Sequence, residues 1–192
     1  MKTIINEDSF VHLKTLDENT FDSCVTDPPY ELGFMGKSWD GTGIAFNVDF
    51  WKEVLRTLKP GGHLIAFSAS RNYHRMAVAI EDAGFEIRDQ IMWIYGTGFP
   101  KSLNLGKAID KKEGNDREVI GTTNQQDITS GNYVHGPSQR KDIPITKGTS
   151  EWEGWGTALK PAHEPIVLAR KPLSKKSIVD NVFKYGTGGI NI

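Results

Sequence analysis

The sequence predicts an α/β fold: a partial doubly wound, mostly parallel sheet with an antiparallel edge hairpin and a polar insertion. Three observations predict it. Between residues 2 and 95, short β-branched or aromatic runs alternate with stretches whose apolar residues recur at helical spacing, as in strands joined by crossover helices. Residues 113–150 abandon that pattern for Gly, Asn, Gln, Asp, Ser and Thr, which reads as an extended insertion rather than core. An apolar run then returns at 165–169 without a convincing crossover helix before it, which suits an antiparallel edge partner for the strand at 85–95.

Each element follows from its residues. Residues 2–6 are a short β-branched run and read as a strand. Residues 9–16 follow as a helix, with Phe10, Leu13 and Leu16 on one face and Asp8 placed to cap the first turn. Residues 21–26 form a second strand that runs into Asp27-Pro28-Pro29-Tyr30, where two prolines without amide donors must end any ladder. Residues 49–58 put Phe50, Val54 and Leu58 on one helical face, and Lys59-Pro60-Gly61-Gly62 is expected to stop that helix before a strand at 63–69. Residues 72–83 repeat the helical pattern, Gly84 closes it, and 85–95 reads as a long strand. The chain is thus expected to divide into a motif-bearing part at 1–112, the polar insertion at 113–156, and an edge strand with a tail at 157–192. The tail turns basic after Leu173 and closes on a glycine-rich turn, Gly186-Thr187-Gly188-Gly189, an ending that suggests truncation.

Composition bounds the function classes. A chain of 192 residues with 38% hydrophobic and 24% charged residues can bury one good core. No apolar run approaches the roughly 20 residues of a membrane helix, and the mean hydropathy is -0.42. The opening MKTIINEDSF has neither a signal-peptide core nor the look of a transit peptide, so a cytoplasmic protein is expected. A lone cysteine, Cys24, excludes an intramolecular disulfide and any cysteine metal cage, and the spacing of His63, His74 and His163 suggests no metal site. The net charge of -1 supplies no global basic field, so nucleic-acid binding would rest on local patches.

Chemistry concentrates at Asp27-Pro28-Pro29-Tyr30. In open α/β sheets, ligands bind beyond the carboxyl ends of strands, where this motif presents a carboxylate, rigid carbonyls and an aromatic face. An exocyclic amine of a nucleobase is a poor nucleophile because its lone pair is delocalised into the ring. Accepting its two N–H groups on the Asp27 carboxylate and the Pro28 carbonyl would free that lone pair. Pro28 and Pro29 fix the carbonyl's direction, and Tyr30 would stack on a base drawn out of its duplex, an interaction of about 1–3 kcal/mol. Taken alone, the tetrapeptide is equally a turn that ends a strand.

These residues resemble motif IV of the DNA amino-methyltransferases, (D/N/S)-P-P-(Y/F/W). Upstream, Ile4 to Phe10 with Leu13 and Leu16 resembles the strand, acidic residue and helix that open the permuted β-type members, which implies a place for Asp8 beside the cofactor adenine as well as at the helix cap. The segment from Trp51 to Gly62 resembles the helix and turn found in methyltransferases of several kinds, and Phe46 to Phe50 loosely resembles the motif V region. Thr97-Gly98-Phe99-Pro100-Lys101-Ser102 and Lys160 to Pro172 resemble segments of phage-type members.

The resemblance implies a Rossmann-like methyltransferase fold, S-adenosylmethionine as cofactor and double-stranded DNA as partner. It further implies methyl transfer to the exocyclic amine of a flipped base, adenine N6 before cytosine N4. Asp27, Pro28, Pro29 and Tyr30 would be catalytic. Trp39, in the loop after the motif, and Lys101, Tyr133 and Arg140 would contact nucleic acid, although a charged helix face is the ordinary explanation for Lys101 and a solvated loop explains Tyr133 and Arg140 at least as well. The family's cofactor loop, F-x-G-x-G after an Asp-Pro, has no counterpart, which implies weak cofactor binding or a second polypeptide that completes the site. Two other readings stay open: an inactive or split-enzyme fragment that binds DNA, and a protein-glutamine methyltransferase, disfavoured because those enzymes carry N-P-P-Y.

Overall fold

The computed structural model describes residues 3–33, 38–96, 102–126, 140–159 and 162–191. In chain order the elements are α1 (Ser9–Leu13), β1 (Phe21–Thr26), α2 (Val48–Thr57), β2 (Leu58–Phe67), α3 (Tyr73–Asp82) and β3 (Glu86–Ile94). There follow α4 (Leu105–Glu113), β4 (Glu118–Gln126), β5 (Arg140–Lys147), β6 (His163–Arg170) and α5 (Ile178–Tyr185). The chain folds as two compact units, Met1–Thr97 with Ala162–Ile192, and Gly98–Pro161. A single core does not serve the whole length, and α4 belongs to the second unit.

The first unit is built on a mixed four-stranded sheet of order β1-β2-β6-β3. β1 and β2 pair in parallel, while β6 runs antiparallel to both β2 and β3. Three strands therefore share one direction and β6 alone is reversed. The expected antiparallel pairing of β6 with β3 is present, but β6 is not an edge strand: it lies between β2 and β3, where Ile166, Val167 and Ala169 are buried. Local periodicity explains the difference, since an uninterrupted apolar run marks a strand covered on both sides as readily as one at an edge.

The core gathers Leu64 and Ala66 of β2, Val167 and Ala169 of β6, Phe50, Trp51 and Val54 of α2, and Met76, Ala79 and Ile80 of α3. Helix α2 starts where Asn47 Oδ1 accepts from the amides of Asp49 (2.9 Å) and Phe50 (3.2 Å), satisfying donors that the first turn leaves open. It ends at Thr57, and the ladder begins at once with Leu58 rather than after Gly62. The sequence Pro60-Gly61-Gly62 sits inside β2 because Gly61 N donates to Lys171 O (3.1 Å), Lys171 N donates to Gly62 O (2.8 Å), and a Cβ on Gly62 would lie 2.9 Å from Asp22 O. Glycine lets the neighbouring backbones meet there.

Residues 3–6 form no strand. No strand among the described residues lies beside them to complete a ladder, and Ile4 is 96% exposed. Helix α1 carries the expected cap, Val11 N donating to Asp8 Oδ1 at 3.0 Å, but it stops at Leu13 instead of Leu16.

The second unit includes regular elements within the stretch 113–150 that was expected to be an extended insertion. Helix α4 is capped by Asn104, whose Oδ1 accepts from Lys107 N (2.9 Å), and ends at Gly114 with φ 76°. β4 and β5 then form an antiparallel ribbon. The β-branched residues Val119, Ile120, Thr122, Ile143, Ile145 and Thr146 give the ribbon its strand character within a polar composition. Arg117 ties the unit together, donating to Asp110, to Glu153 Oε1 (2.8 Å) and to Thr146 Oγ1 (3.1 Å). No helix among the described residues is long and apolar enough to cross a membrane.

Candidate active site at the end of the first strand

The motif leaves the sheet where β1 ends. Thr26 pairs with Ala66, so Asp27-Pro28-Pro29-Tyr30 follows at the carboxyl edge of the parallel pair. Asp27 is exposed, Pro28 buried, and Pro29 and Tyr30 half-buried. Because β6 is reversed, its beginning lies at this same edge, and that brings a distant residue to the motif. Tyr30 Oη donates to Glu164 Oε2 at 3.0 Å, and the Asp27 carboxylate is close enough to act on the same hydroxyl. Burial, followed by the bonds and negative charges of these two carboxylates, holds the Tyr30 phenol far above its ordinary ionisation range.

The loop that follows is held at several points. Asn72, just before α3, donates through Nδ2 to the main-chain oxygens of Tyr30 (2.8 Å) and Glu31 (2.9 Å). Glu31 has φ 56°, a left-handed conformation that costs a non-glycine residue free energy and so needs such support. Thr42 Oγ1 donates to Glu31 Oε1 (3.2 Å), and the buried Asp40 accepts from Leu32 N (3.1 Å). The result is an accessible carboxylate next to an anchored aromatic ring and a main-chain path fixed by two prolines.

The other residues singled out in the sequence fall as follows. Asp8 is exposed at the start of α1, bound to its cap amide. Trp39 lies in a short 3-10 turn, Ser38–Asp40, and is 57% exposed. Arg140 opens β5 opposite Gln126. Lys101 and Tyr133 lie outside the described residues. Burial pushes the Cys24 thiol up, away from thiolate chemistry. Glu164 and Asn72 were not recognised as site residues from the sequence. The available signal was the reversal of the last strand, which carries residues at its start to the carboxyl edge of the others.

An Asp-Pro-Pro-Tyr loop at the carboxyl edge of such a sheet defines an α/β protein of the class whose ligands bind beyond strand ends. The family model described as "DNA methylase", of the N6/N4 type, matches residues 21–188, and the chain belongs to that family. It is 23% identical to the type II methyltransferase M.HindIII of Haemophilus influenzae over 98% of this chain and 64% of that protein. Among solved structures it is similar to the cytosine-N4-specific PvuII DNA methyltransferase, with 14% identity, a TM-score of 0.48, and coverage of 97% of this chain and 55% of that one. A complex of M1.HpyAVI with SAM gives 17% identity and a TM-score of 0.46, covering 91% of this chain and 56% of that one. The chain thus spans less than two thirds of the length of these relatives.

Proposed function

We propose that this chain carries the base-binding and methyl-accepting side of a site-specific DNA N-methyltransferase that uses S-adenosylmethionine, with the N6 amine of a flipped adenine as target. Membership of the N6/N4 DNA methylase family supports the reaction class, and one observation carries the assignment of the site: an exposed Asp27 at the carboxyl edge of the sheet, beside an anchored Tyr30. Asp27 and the Pro28 carbonyl accept the two N–H groups of the target amine and turn its lone pair out of the ring's π-system. Tyr30 supplies the stacking face that an extruded base loses on leaving the helix. As the nitrogen lone pair forms the new N–C bond, the surplus amine proton leaves through the Asp27 hydrogen bond.

S-adenosylmethionine, when bound, supplies an electrophilic methyl on a sulfonium, whose C–S bond breaks as the N–C bond forms. Asp8 suits such a cofactor: one carboxylate oxygen caps α1, and its charge stays exposed toward polar ligand groups. The other flank of the sheet supports completion by further polypeptide. β1 has one hydrogen-bonded neighbour among the described strands, and Val25 on it is 66% exposed. Trp39, Lys101, Tyr133 and Arg140 are assigned to DNA contact, Trp39 over the extruded base and the others along the duplex. Target recognition is assigned to residues 113–156.

Transfer of labelled methyl from S-adenosylmethionine to unmodified DNA tests this reading, with Asp27→Ala as control. Incorporation by the wild type, alone or supplemented with the polypeptide that completes the cofactor site, should vanish in Asp27→Ala. Equal incorporation by both would remove the assignment.

A further inference from the structure

Tyr30 gives its one hydroxyl proton to Glu164, with the Asp27 carboxylate nearby on the same loop. A phenol can donate a single hydrogen bond at a time; Tyr30 Oη gives it to Glu164 Oε2 at 3.0 Å, while Asp27, three residues earlier on the same loop, is near enough for its charge to bear on the same hydroxyl. Which carboxylate takes that proton decides what Asp27 can do. If Asp27 accepts it, one of its lone pairs points back at the protein, and the geometry that grips an incoming amine is altered. If Glu164 accepts it, Asp27 stays open outward.

We propose that Glu164 is a positioning residue for the site: by accepting the Tyr30 hydroxyl it fixes the plane of the ring and keeps the Asp27 carboxylate available to the substrate amine. The proposal rests on the assignment of Asp27 and Tyr30 made above.

The surroundings of Glu164 suit this role. It lies near the start of β6, on a strand rather than on a loop: β3 flanks it there, and β2 joins the ladder from Ile166 onward. It pairs with Trp93 of β3, and Tyr95 N donates to Ala162 O (3.0 Å), closing the ladder beyond it. The next residue, Pro165, is buried, and its carbonyl accepts from Ser68 N (3.0 Å), at the end of β2. A rigid strand therefore aims the carboxylate, while the loop that bears Asp27 and Tyr30 is tied down separately by Asn72. Among the described residues the Glu164 carboxylate makes no ion pair with a Lys, Arg or His, and it accepts its side-chain hydrogen bond from Tyr30.

The experiment is a double-mutant cycle on methyl transfer, carried out on the protein in the form that transfers methyl groups. Glu164→Leu should lower kcat by about tenfold or more, as expected for loss of a charge-assisted hydrogen bond, with KM for DNA little changed. Glu164→Gln, which keeps an acceptor carbonyl, should recover most of that loss. In the Tyr30→Phe background, where no hydroxyl can turn toward Asp27, Glu164→Leu should cost little more. A second measurement needs no turnover: in ring-labelled protein at neutral pH, the Tyr30 NMR signal, assigned with Tyr30→Phe, should move in Glu164→Leu, where the hydroxyl loses its acceptor, and move less in Glu164→Gln.

An unmoved Tyr30 signal in Glu164→Leu, or an equal loss from Glu164→Leu in both backgrounds, overturns the role of Glu164 while leaving Asp27 as assigned. Equal methyl transfer by the wild type and Asp27→Ala overturns the active-site reading, and the role of Glu164 falls with it.

Discussion

Asn72 reaches across 42 positions of sequence to donate through one nitrogen to the main-chain oxygen of Tyr30 at 2.8 Å, and to that of Glu31 at 2.9 Å. Its side chain is thus the link between the start of α3 and the loop that leaves β1. Asn72→Ala removes both bonds and leaves part-buried carbonyls to find other donors, which should destabilise the fold by about 1–3 kcal/mol in urea unfolding. Asn72→Asp should be worse than Asn72→Ala, since a carboxylate offers those oxygens no donor and repels them. Methyl transfer should fall in the same order, because Glu31 loses the bond that supports its left-handed backbone.

Tyr30 gives the site a pH signature. Its phenol is raised above the ordinary value near 10 by burial first and then by Asp27 and Glu164. A raised folded-state value means that above pH ~10 the unfolded chain releases this proton while the folded chain keeps it. The stabilisation is complete below that pH and is lost as pH climbs toward the folded value. Tyr30→Phe has no such proton, so its stability should fall less steeply with alkaline pH than that of the wild type. Urea midpoints between pH 9 and 11 check this, and parallel slopes would contradict the environment described for Tyr30.

Much of this arrangement was legible in the sequence, for reasons that also explain what was not. Two prolines after an apolar run mark the end of a strand, so the position of Asp27 beyond β1 could be read from residues 21–30 alone. Asp8 was legible as a cap because capping is local. Strand order is not local: nothing in Ile166-Val167-Leu168-Ala169 says that two strands flank it, so β6 was expected at the edge and Glu164 was passed over. Asn72 looked like the start of a helix and nothing more. The ribbon of β4 and β5 was hidden because the whole stretch 113–150 is dominated by Gly, Asn, Gln, Asp, Ser and Thr, which masked the β-branched residues of its two strands. The run at 2–6 has the residues of a strand but finds no partner among the described strands.

Gly61 and Asn181 form a coupled pair outside the site. Asn181 is fully buried and donates to Pro60 O (2.8 Å) and Thr187 O (2.9 Å), fastening α5 to the beginning of β2. Gly61 has φ 82°, and a Cβ there would lie 2.6 Å from Asn181 Nδ2. Gly61→Ala should therefore destabilise twice over, through the left-handed backbone, at roughly 1–2 kcal/mol, and through displacement of Asn181. In an Asn181→Ala background the clash with Asn181 is gone, and the backbone cost and the close approach to Gly188 Cα (3.1 Å) remain. Urea unfolding of the two single variants and the double variant should show a sub-additive loss, and strict additivity would mean that Asn181 swings aside freely.

Trp51 connects the core to the approach of the site loop. It is fully buried on α2, and its Nε1 donates to Ala45 O at 2.9 Å, fixing the short turn Ile44–Phe46 through which the chain returns from Tyr30 and Trp39. Phe50 packs edge-on against its ring at 4.9 Å between centroids, so the ring fills space as well as donating. Trp51→Phe keeps an aromatic ring but leaves the Ala45 carbonyl without its donor and opens a small void. A loss of about 1–3 kcal/mol is expected from the unsatisfied carbonyl, whereas Trp51→Ala should cost about 3–5 kcal/mol through the larger cavity. The two variants should also differ locally. In hydrogen exchange, Trp51→Phe should release the amides of Phe46 and Asn47, which bond within the turn, well before those of β2. If those amides keep wild-type protection in Trp51→Phe, the turn is held by its own backbone bonds, and the indole contributes packing alone.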